Sequence, residues 1–134
     1  MATWQFDFDL VAKDKQNITI SNESLEKLAK VFPLRESWHD DLKMYGKDYE
    51  SSLVNIWEEE GSIEISCRLS LIDVSKQQAL AIIDFAKDNN LLFSVDAISF
   101  DPTLENLKNL ISSSSAYKFT RTPIDFFNQL TDNS

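Results

Sequence analysis

The first quarter of the chain shows the two periods that distinguish strands from helices. Apolar and polar residues alternate from Trp4 to Leu10, which is the two-residue period of a strand with one buried face. Residues 3–12 are predicted to form the first strand. Apolar residues then recur three or four positions apart over residues 22–32, so a helix is predicted there, and Pro33 cannot continue it. Residues 18–20 fit either a short strand or the entry to this helix.

Two further apolar-rich regions have the pattern of strands. Residues 53–57 and 63–71 lie on either side of an acidic turn that contains Gly61, and this arrangement predicts a β-hairpin. The second arm alternates most regularly of all the segments in the chain. Residues 91–100 predict another strand, with a bend allowed at Asp96.

Three more segments carry signals of helices. Ser75 and Gln78 have the spacing of a capping box, and apolar residues at helical spacing follow as far as Asp88. A third helix is predicted from the Asp-Pro start of residues 101–112, because proline is well tolerated at the first helical position. A last short helix is predicted over residues 123–130, which begin with the same kind of cap and proline.

The order of these elements predicts an α+β fold. It matches a ferredoxin-like β-α-β-β-α-β antiparallel sheet with helices on one face, plus a C-terminal helical extension. Residues 1–134 are predicted to be a single domain, in which 1–100 form the α+β core and 101–134 the C-terminal helices. Gly46 and Gly61 are the two glycines of the chain. They are candidates for positive φ, and two glycines are too few for a phosphate-cradling loop.

A long connection and a local excess of negative charge coincide in the second quarter of the chain. Residues 34–52 have no sustained period and contain Trp38, Tyr45 and Tyr49. Connections longer than about 15 residues in compact domains are often functional. Residues 36–64 contain nine acidic and two basic residues, which is a net charge of −7 out of the −9 of the whole chain. Most of the acidity is therefore local.

Composition narrows the classes of partner and the compartment. A net charge of −9 argues against unaided binding to nucleic acid or to an anionic membrane, because both need clustered Lys and Arg. Cys67 is the single cysteine and lies in an apolar run, where a small buried hydrophobe is expected. With neither a secretory signal nor a membrane-spanning segment in the sequence, a cytoplasmic protein is expected.

One cluster, His39-Asp40-Asp41, resembles a metal or acid/base site, because imidazole and carboxylate are common ligands and proton carriers. His39 is the sole histidine, and the alternative is a solvated loop with a helix-capping Asp. No Gly-x-Ser-x-Gly elbow occurs, and Cys67 is expected to be a core residue with low reactivity. No catalytic residue and no cofactor is predicted, and enzyme activity is not expected.

Aromatic residues among one sign of charge are typical of an interface for a basic protein. The residues predicted to bind such a partner are Trp38, Asp40, Asp41, Tyr45, Asp48, Tyr49, Glu50, Glu58, Glu59 and Glu60. The alternative for the acidic turn is a solvated tip that protects the sheet from edge pairing. Trp57 fits either this surface or the core, and the same holds for Trp4.

Two resemblances follow from these residues. The pattern of Tyr45-Gly46, an Asp at Asp48, Val54-Asn55-Ile56-Trp57, the acidic turn with Gly61 and the Ile- and Arg-containing strand of 63–68 is similar to that of a group of small uncharacterised bacterial proteins. It covers about residues 38–127 and contains no catalytic motif. In size and charge the chain also resembles the immunity proteins of bacterial toxin systems, which implies binding to a cognate toxin domain.

Three functions are compatible with these observations. The first is an immunity-like protein-binding module that binds and neutralises a basic partner such as a toxin domain. The second is a small-molecule-binding or regulatory ferredoxin-like domain that acts as a homodimer, with an apolar pocket bearing a few polar groups. The third is a metal-dependent enzyme centred on His39, Asp40 and Asp41. The first is preferred, because it accounts for both the local acidity and the aromatic residues.

Overall fold

A computed structural model describes residues 5–13, 18–46, 52–70 and 76–112. These residues form three helices and one seven-stranded sheet. In chain order the elements are β1 (Gln5–Ala12), α1 (Asn22–Val31), β2 (Leu34–Arg35), β3 (Leu42–Gly46), β4 (Leu53–Glu59), β5 (Ser62–Ser70), α2 (Lys76–Asp88), β6 (Leu91–Val95), β7 (Ile98–Phe100) and α3 (Leu104–Ser112). In these parts of the chain, no helix combines the length and the apolar character needed to cross a lipid bilayer.

The sheet confirms the α+β class but differs from the predicted arrangement of strands. Its order is β2-β3-β4-β5-β1-β6-β7, and every neighbouring pair is antiparallel. The predicted four-stranded ferredoxin-like sheet is not confirmed, because the sheet has seven strands. The three strands absent from the prediction are β2, β3 and β7.

Local chemistry explains why these strands were missed. The long connection of residues 34–52 contains β3, whose residues Leu42, Met44 and Tyr45 are all buried. The neighbouring residues Met44 and Tyr45 lie on opposite faces and are both buried, so the alternation of Leu42, Lys43 and Met44 is broken at Tyr45. The predicted strand of 91–100 is instead two strands joined by a two-residue turn, in which Asp96 and Ala97 have φ of 52° and 66°. A hairpin turn of this kind usually carries glycine, and here it does not.

The hairpin of β4 and β5 was predicted correctly, and its turn has the backbone expected from the sequence. Glu60 and Gly61 have φ of 52° and 80°, and positive φ at both central residues matches the right-handed twist of the strands. Gly46 has a φ of 142°. A Cβ at that position would lie 2.9 Å from the backbone oxygen of Ser52. Both glycines therefore have the positive φ that was predicted for them.

Three side chains connect the start of α1 to the end of α2. Ser21 caps α1, because its Oγ accepts a hydrogen bond from the N–H of Ser24 at 3.2 Å. Buried Asn89 donates from Nδ2 to Ser24 Oγ at 2.9 Å and to the carbonyl of Phe85 at 2.8 Å. The N–H of Ser21 donates to Asn89 Oδ1 at 3.0 Å. Residues 18–20 form neither strand nor helix, and they lead directly into this cap.

The sheet has one covered face and one open face. The core places Phe6, Phe8 and Leu10 of β1 against apolar residues of all three helices, including Leu28, Ile82 and Leu107. The alternate residues of the same strands lie on the other face, which we call the open face. Over β5, β1, β6 and β7 this face carries mainly polar residues, including Asp7, Asp9, Glu64, Ser66, Ser94 and Ser99.

Several predictions lie outside the described residues. They are the helix over 123–130, the capping role of Ser75 and the placement of Trp4, Asp48, Tyr49 and Glu50. The third helix was predicted correctly except for its start, because α3 begins at Leu104 and not at Pro102. Thr103 and not Asp101 lies directly before it, and Thr103 Oγ1 accepts a hydrogen bond from the N–H of Asn106 at 3.1 Å.

Candidate functional site

Two parts of the acidic stretch meet at one end of the sheet. β3 pairs with β4 so that Leu42 lies opposite Trp57. Just beyond this pair, the N–H of Glu58 donates to the carbonyl of Asp41 at 2.8 Å. Residues 38–41 of the connection therefore lie beside residues 57–60 of the hairpin tip. We call this region the acidic end and define it as Trp38, His39, Asp40, Asp41, Trp57, Glu58, Glu59 and Glu60.

The loop that leads into β3 is held by its own side chains. Ser37 Oγ accepts from the N–H of His39 at 3.1 Å and donates to the carbonyl of His39 at 2.9 Å. The N–H of Asp41 donates to His39 Nδ1 at 3.1 Å, and the Asp41 carboxylate is 4.0 Å from the same nitrogen. These hydrogen bonds fix the direction of the imidazole and leave Nε2 as its donor nitrogen.

Three aromatic rings cluster on the surface of the acidic end. The ring centroids of Trp38 and Trp57 are 5.4 Å apart, with an interplanar angle of 70°. His39 completes the cluster at 5.8 Å from Trp38 and 5.4 Å from Trp57. Edge-to-face contacts of this kind stabilise the rings beyond the burial of their area. Trp38 is nevertheless 67% exposed, so this large apolar side chain remains available to a partner.

Carboxylates line cavities on both sides of the hairpin tip. Asp40, Asp41 and Glu58 line a cavity of about 600 Å³, in which Lys43 is the one basic residue among the described lining residues. On the open face, Glu59, Glu60 and Glu64 line a second cavity of about 450 Å³ together with Trp57 and Ser62. Consecutive strand residues point to opposite faces, which is why Glu58 and Glu59 belong to different cavities.

The structure brings together six of the predicted binding residues. These are Trp38, Asp40, Asp41, Glu58, Glu59 and Glu60. The expectation that Tyr45 is an accessible anchor is wrong. It is 4% exposed, lies opposite Val54 in the core, and its burial raises the pKa of its hydroxyl. Asp48, Tyr49 and Glu50 lie outside the described residues.

Sequence reasoning left Trp57 undecided and did not place Glu64 in the site. A signal for both was present in the strands. Trp57 has the same phase in β4 as polar Asn55 and Glu59, and it lies opposite Glu64 in β5. The polar residues on either side of Trp57 in its own phase indicate that its ring faces away from the core.

Cys67 and the cluster of His39, Asp40 and Asp41 are the two groups with potential chemical reactivity, and Cys67 is buried whereas the cluster lies in a surface loop. Cys67 is 2% exposed, and burial raises the pKa of its thiol, with a smaller contribution from Asp9. A buried neutral thiol has little nucleophilicity. Across the described part of the chain, no group of three or more His, Cys, Asp or Glu side chains is arranged to hold a metal ion. The predicted cluster of His39, Asp40 and Asp41 is instead organised by the hydrogen bonds of its loop.

The arrangement of the acidic end is suited to contact with a cationic surface. It offers an exposed indole at its centre, carboxylates on both sides and a backbone held by local hydrogen bonds. Comparison of the chain with protein-family models, with curated proteins and with solved structures finds no match.

Proposed function

We propose that this chain is a cytoplasmic protein-binding module whose acidic end binds the basic surface of a protein partner and blocks it. The observation that carries the proposal is the meeting of exposed Trp38 with the carboxylates of residues 40–41 and 58–60 at one end of the sheet. These residues are distant in sequence, and the pairing of β3 with β4 brings them together.

The aromatic and the charged residues contribute to different steps of binding. A large, well-supported aromatic side chain is the kind of residue that supplies most of the affinity of a protein interface. Charges around it raise the rate of encounter with an oppositely charged partner and select against acidic ones. Trp38 is supported by Trp57 and His39, and carboxylates line the cavities on both sides of the adjacent hairpin tip, so both contributions are present in the acidic end.

The class of partner follows from the same residues and from the resemblance to immunity proteins. In this proposal the module neutralises a toxin domain by covering the surface that the toxin uses to bind its own target. For a nuclease that surface is basic, because it binds phosphates. An acidic module of this size is complementary to such a surface. The chain itself has a net charge of −9, which supports this class of partner.

We further propose that the central four strands and the first two helices form a ferredoxin-like core. The support is the sequence of neighbours β4-β5-β1-β6 within the sheet, together with the packing of residues from α1 and α2 on one face. In this proposal β2, β3 and β7 are additions at the edges of the core. The addition of β2 and β3 creates the acidic end, because the loop that precedes β3 contains Trp38 to Asp41.

The proposal is tested by affinity capture from a lysate of the source organism. The immobilised chain is compared with a neutralised variant that carries Asp40→Asn, Asp41→Asn, Glu58→Gln, Glu59→Gln and Glu60→Gln. A matched control carries Glu23→Gln, Glu26→Gln, Asp84→Asn, Asp88→Asn and Glu105→Gln, which removes the same number of charges from exposed positions on the helices. A basic protein retained by the wild type and by the control, but not by the neutralised variant, is the expected result.

The captured protein is then titrated with each purified chain by calorimetry. We expect the neutralised variant to bind at least 100-fold more weakly than the wild type, and the control to bind within threefold of it. Equal affinity for all three chains would contradict the proposal, since binding would then not depend on the acidic end.

A further inference from the structure

The open face contains a row of hydrogen-bonding side chains that crosses five strands. In the register of the sheet, Asn55 of β4 lies opposite Ser66 of β5, which lies opposite Asp9 of β1. The row continues to Ser94 and Ser99 of β6 and β7. These side chains are small, so the row forms the floor of a shallow trough.

The trough connects to the acidic end through Trp57. A cavity of about 840 Å³ on the open face is lined by residues that include Asp9, Trp57, Glu64, Ser66, Ser94 and Ser99. The cavity of about 450 Å³ at the hairpin tip shares Trp57, Ser62 and Glu64 with it. One continuous depression therefore runs from the hairpin tip to the middle of the sheet.

Negative charge in this trough is not balanced by the described residues. Arg68 is the one basic residue among the described residues that line the open-face cavities, and its Nε donates to Asp7 at 2.7 Å. Asp9 and Glu64 are both exposed on the same face, in neighbouring strands and on one diagonal of the ladder. Partial burial raises the pKa of Asp9, and so do the nearby charges of Glu64 and Asp7.

A hydrogen-bond acceptor beside the trough also lacks a donor. Asn55 Oδ1 is buried without a hydrogen-bond partner. Asn55 lines a cavity of about 220 Å³ together with Asp9, Ser66 and Arg68. This oxygen has no exposed surface, so a guest in the trough pairs instead with the exposed carboxylates of Asp9 and Glu64. A guest with several N–H donors would satisfy both carboxylates, whereas an acidic or apolar guest would leave them unpaired.

From these observations we infer that the open-face trough binds an extended basic segment of the protein partner, with arginine side chains at alternate positions seated beside Trp57 and Asp9. The inference rests on the proposed function and extends the binding surface from the acidic end onto the sheet. Arginine fits better than lysine, because a guanidinium stacks on an indole while it donates to carboxylates in its own plane.

The distance between the carboxylates of Glu64 and Asp9 explains why the arginines are placed at alternate positions of the bound segment. Diagonal neighbours in an antiparallel pair lie about 7 to 8 Å apart, and Glu64 and Asp9 have this relation in the register of β5 and β1. Alternate side chains of an extended peptide are separated by about 6.6 Å, which is twice the rise of a strand residue. Two arginines at alternate positions therefore reach the two carboxylates without bending the peptide.

The test is an NMR titration of the isotope-labelled full chain with a synthetic heptapeptide that carries arginine at alternate positions. The same peptide with neutral citrulline at those positions is the first control. Two variants are titrated in parallel. Asp9→Asn with Glu64→Gln removes the two charges of the trough, and Glu26→Gln with Asp84→Asn removes two exposed charges from the helices on the opposite face.

The arginine peptide is expected to shift the indole N–H of Trp57 and the amides of Asp9, Glu64 and Ser66. Its affinity should fall at least tenfold in the trough variant and remain within twofold in the helix control, and citrulline should abolish binding. Shifts confined to residues 38–41 and 58 would overturn the trough while leaving the acidic end as the binding surface. Unchanged affinity in the trough variant, or equal binding of the citrulline peptide, would also overturn the inference.

Discussion

The two faces of the sheet are made from alternate residues of the same strands, and they differ in almost every physical respect. Phe6, Phe8 and Leu10 of β1 are at most 5% exposed on the covered face, whereas Asp7 and Asp9 between them are exposed on the open face. The covered face is closed by helices and tied by the hydrogen bonds of Asn89. The open face is polar and acidic over four of its strands, and no described helix packs on it there. We therefore expect the residues of the covered face to contribute most of the stability and those of the open face to contribute little.

The largest difference between the faces should appear when neighbouring residues of β6 are truncated. Phe93 is 0% exposed and packs edge-on against Phe8 at a centroid distance of 5.3 Å. We expect Phe93→Ala to lower the free energy of unfolding by about 3 to 5 kcal/mol, because it leaves a cavity in the core. Ser94→Ala, which changes the open face, should alter it by less than about 0.5 kcal/mol. Urea unfolding of both variants measures the contrast, and similar losses would refute the division between the faces.

The next largest effect concerns the contact between the helices. Asn89→Ala removes hydrogen bonds to Ser24, Phe85 and Ser21. Because Ser24 and Phe85 are buried, these two partners lose their bonds without access to water, whereas Ser21 is exposed. We expect the free energy of unfolding to fall by about 2 kcal/mol.

Gln77→Ala, at an exposed position of α2, is the control for Asn89→Ala, and thermal unfolding compares the two. Equal melting temperatures for the two variants would show that the three hydrogen bonds add no stability.

On the open face, we expect a smaller change of opposite sign, in which replacing Asp9 raises the free energy of unfolding. The pKa of Asp9 is raised by partial burial and by Glu64 and Asp7, so the folded state disfavours its ionised form. Above the ordinary aspartate pKa of 3.8, ionised Asp9 therefore destabilises the folded chain, and below that range the penalty is absent. Because Asp9 is exposed and water screens its charge, Asp9→Asn should stabilise the chain by at most about 0.5 kcal/mol at pH 7.

The pH dependence separates this explanation from a packing effect. Urea unfolding at pH 7 and pH 3 should show the advantage of Asp9→Asn at the higher pH only. Asp7→Asn provides the contrast, because it breaks the ion pair with Arg68 and should lower stability at pH 7. A gain from Asp9→Asn that is equal at both pH values would contradict the electrostatic explanation.

A similarly small effect on stability is expected for Trp38, which is 67% exposed. Trp38→Ser should lower the free energy of unfolding by about 0.5 kcal/mol, the low end for the edge-to-face contacts that it removes, since most of the side chain is exposed. If Trp38 is the anchor of the interface, the same substitution should weaken partner binding at least 100-fold, as expected of a central aromatic residue. Calorimetric titration with the captured partner, beside urea unfolding, measures both quantities. A large loss of stability with intact binding would assign Trp38 to the fold instead.

The sequence predicted the elements whose two faces differ in polarity. β1 and β5 alternate clearly because one face is apolar and the other is not. The same reasoning failed for β3, whose residues are buried on both faces, and for the turn at Asp96 and Ala97, where neither residue is glycine.

The candidate site was predictable in its charge and less so in its shape. Six predicted residues do converge, because acidic and aromatic residues are concentrated between Trp38 and Glu60. Tyr45 was misassigned, since a short pattern does not show which face of an unrecognised strand a residue occupies. The inclusion of Asp9 and Glu64 depended on the register of β1 with β5, which no local pattern contains.

The most direct test of the central claim is the association rate of the captured partner as a function of salt concentration, measured for the wild type and for the five-residue neutralised variant of the acidic end. Electrostatic steering predicts that the rate for the wild type falls steeply between low and high salt. The variant should associate slowly at all salt concentrations. Identical salt dependence in the two chains would contradict the claim that the acidic end is the surface that meets the partner.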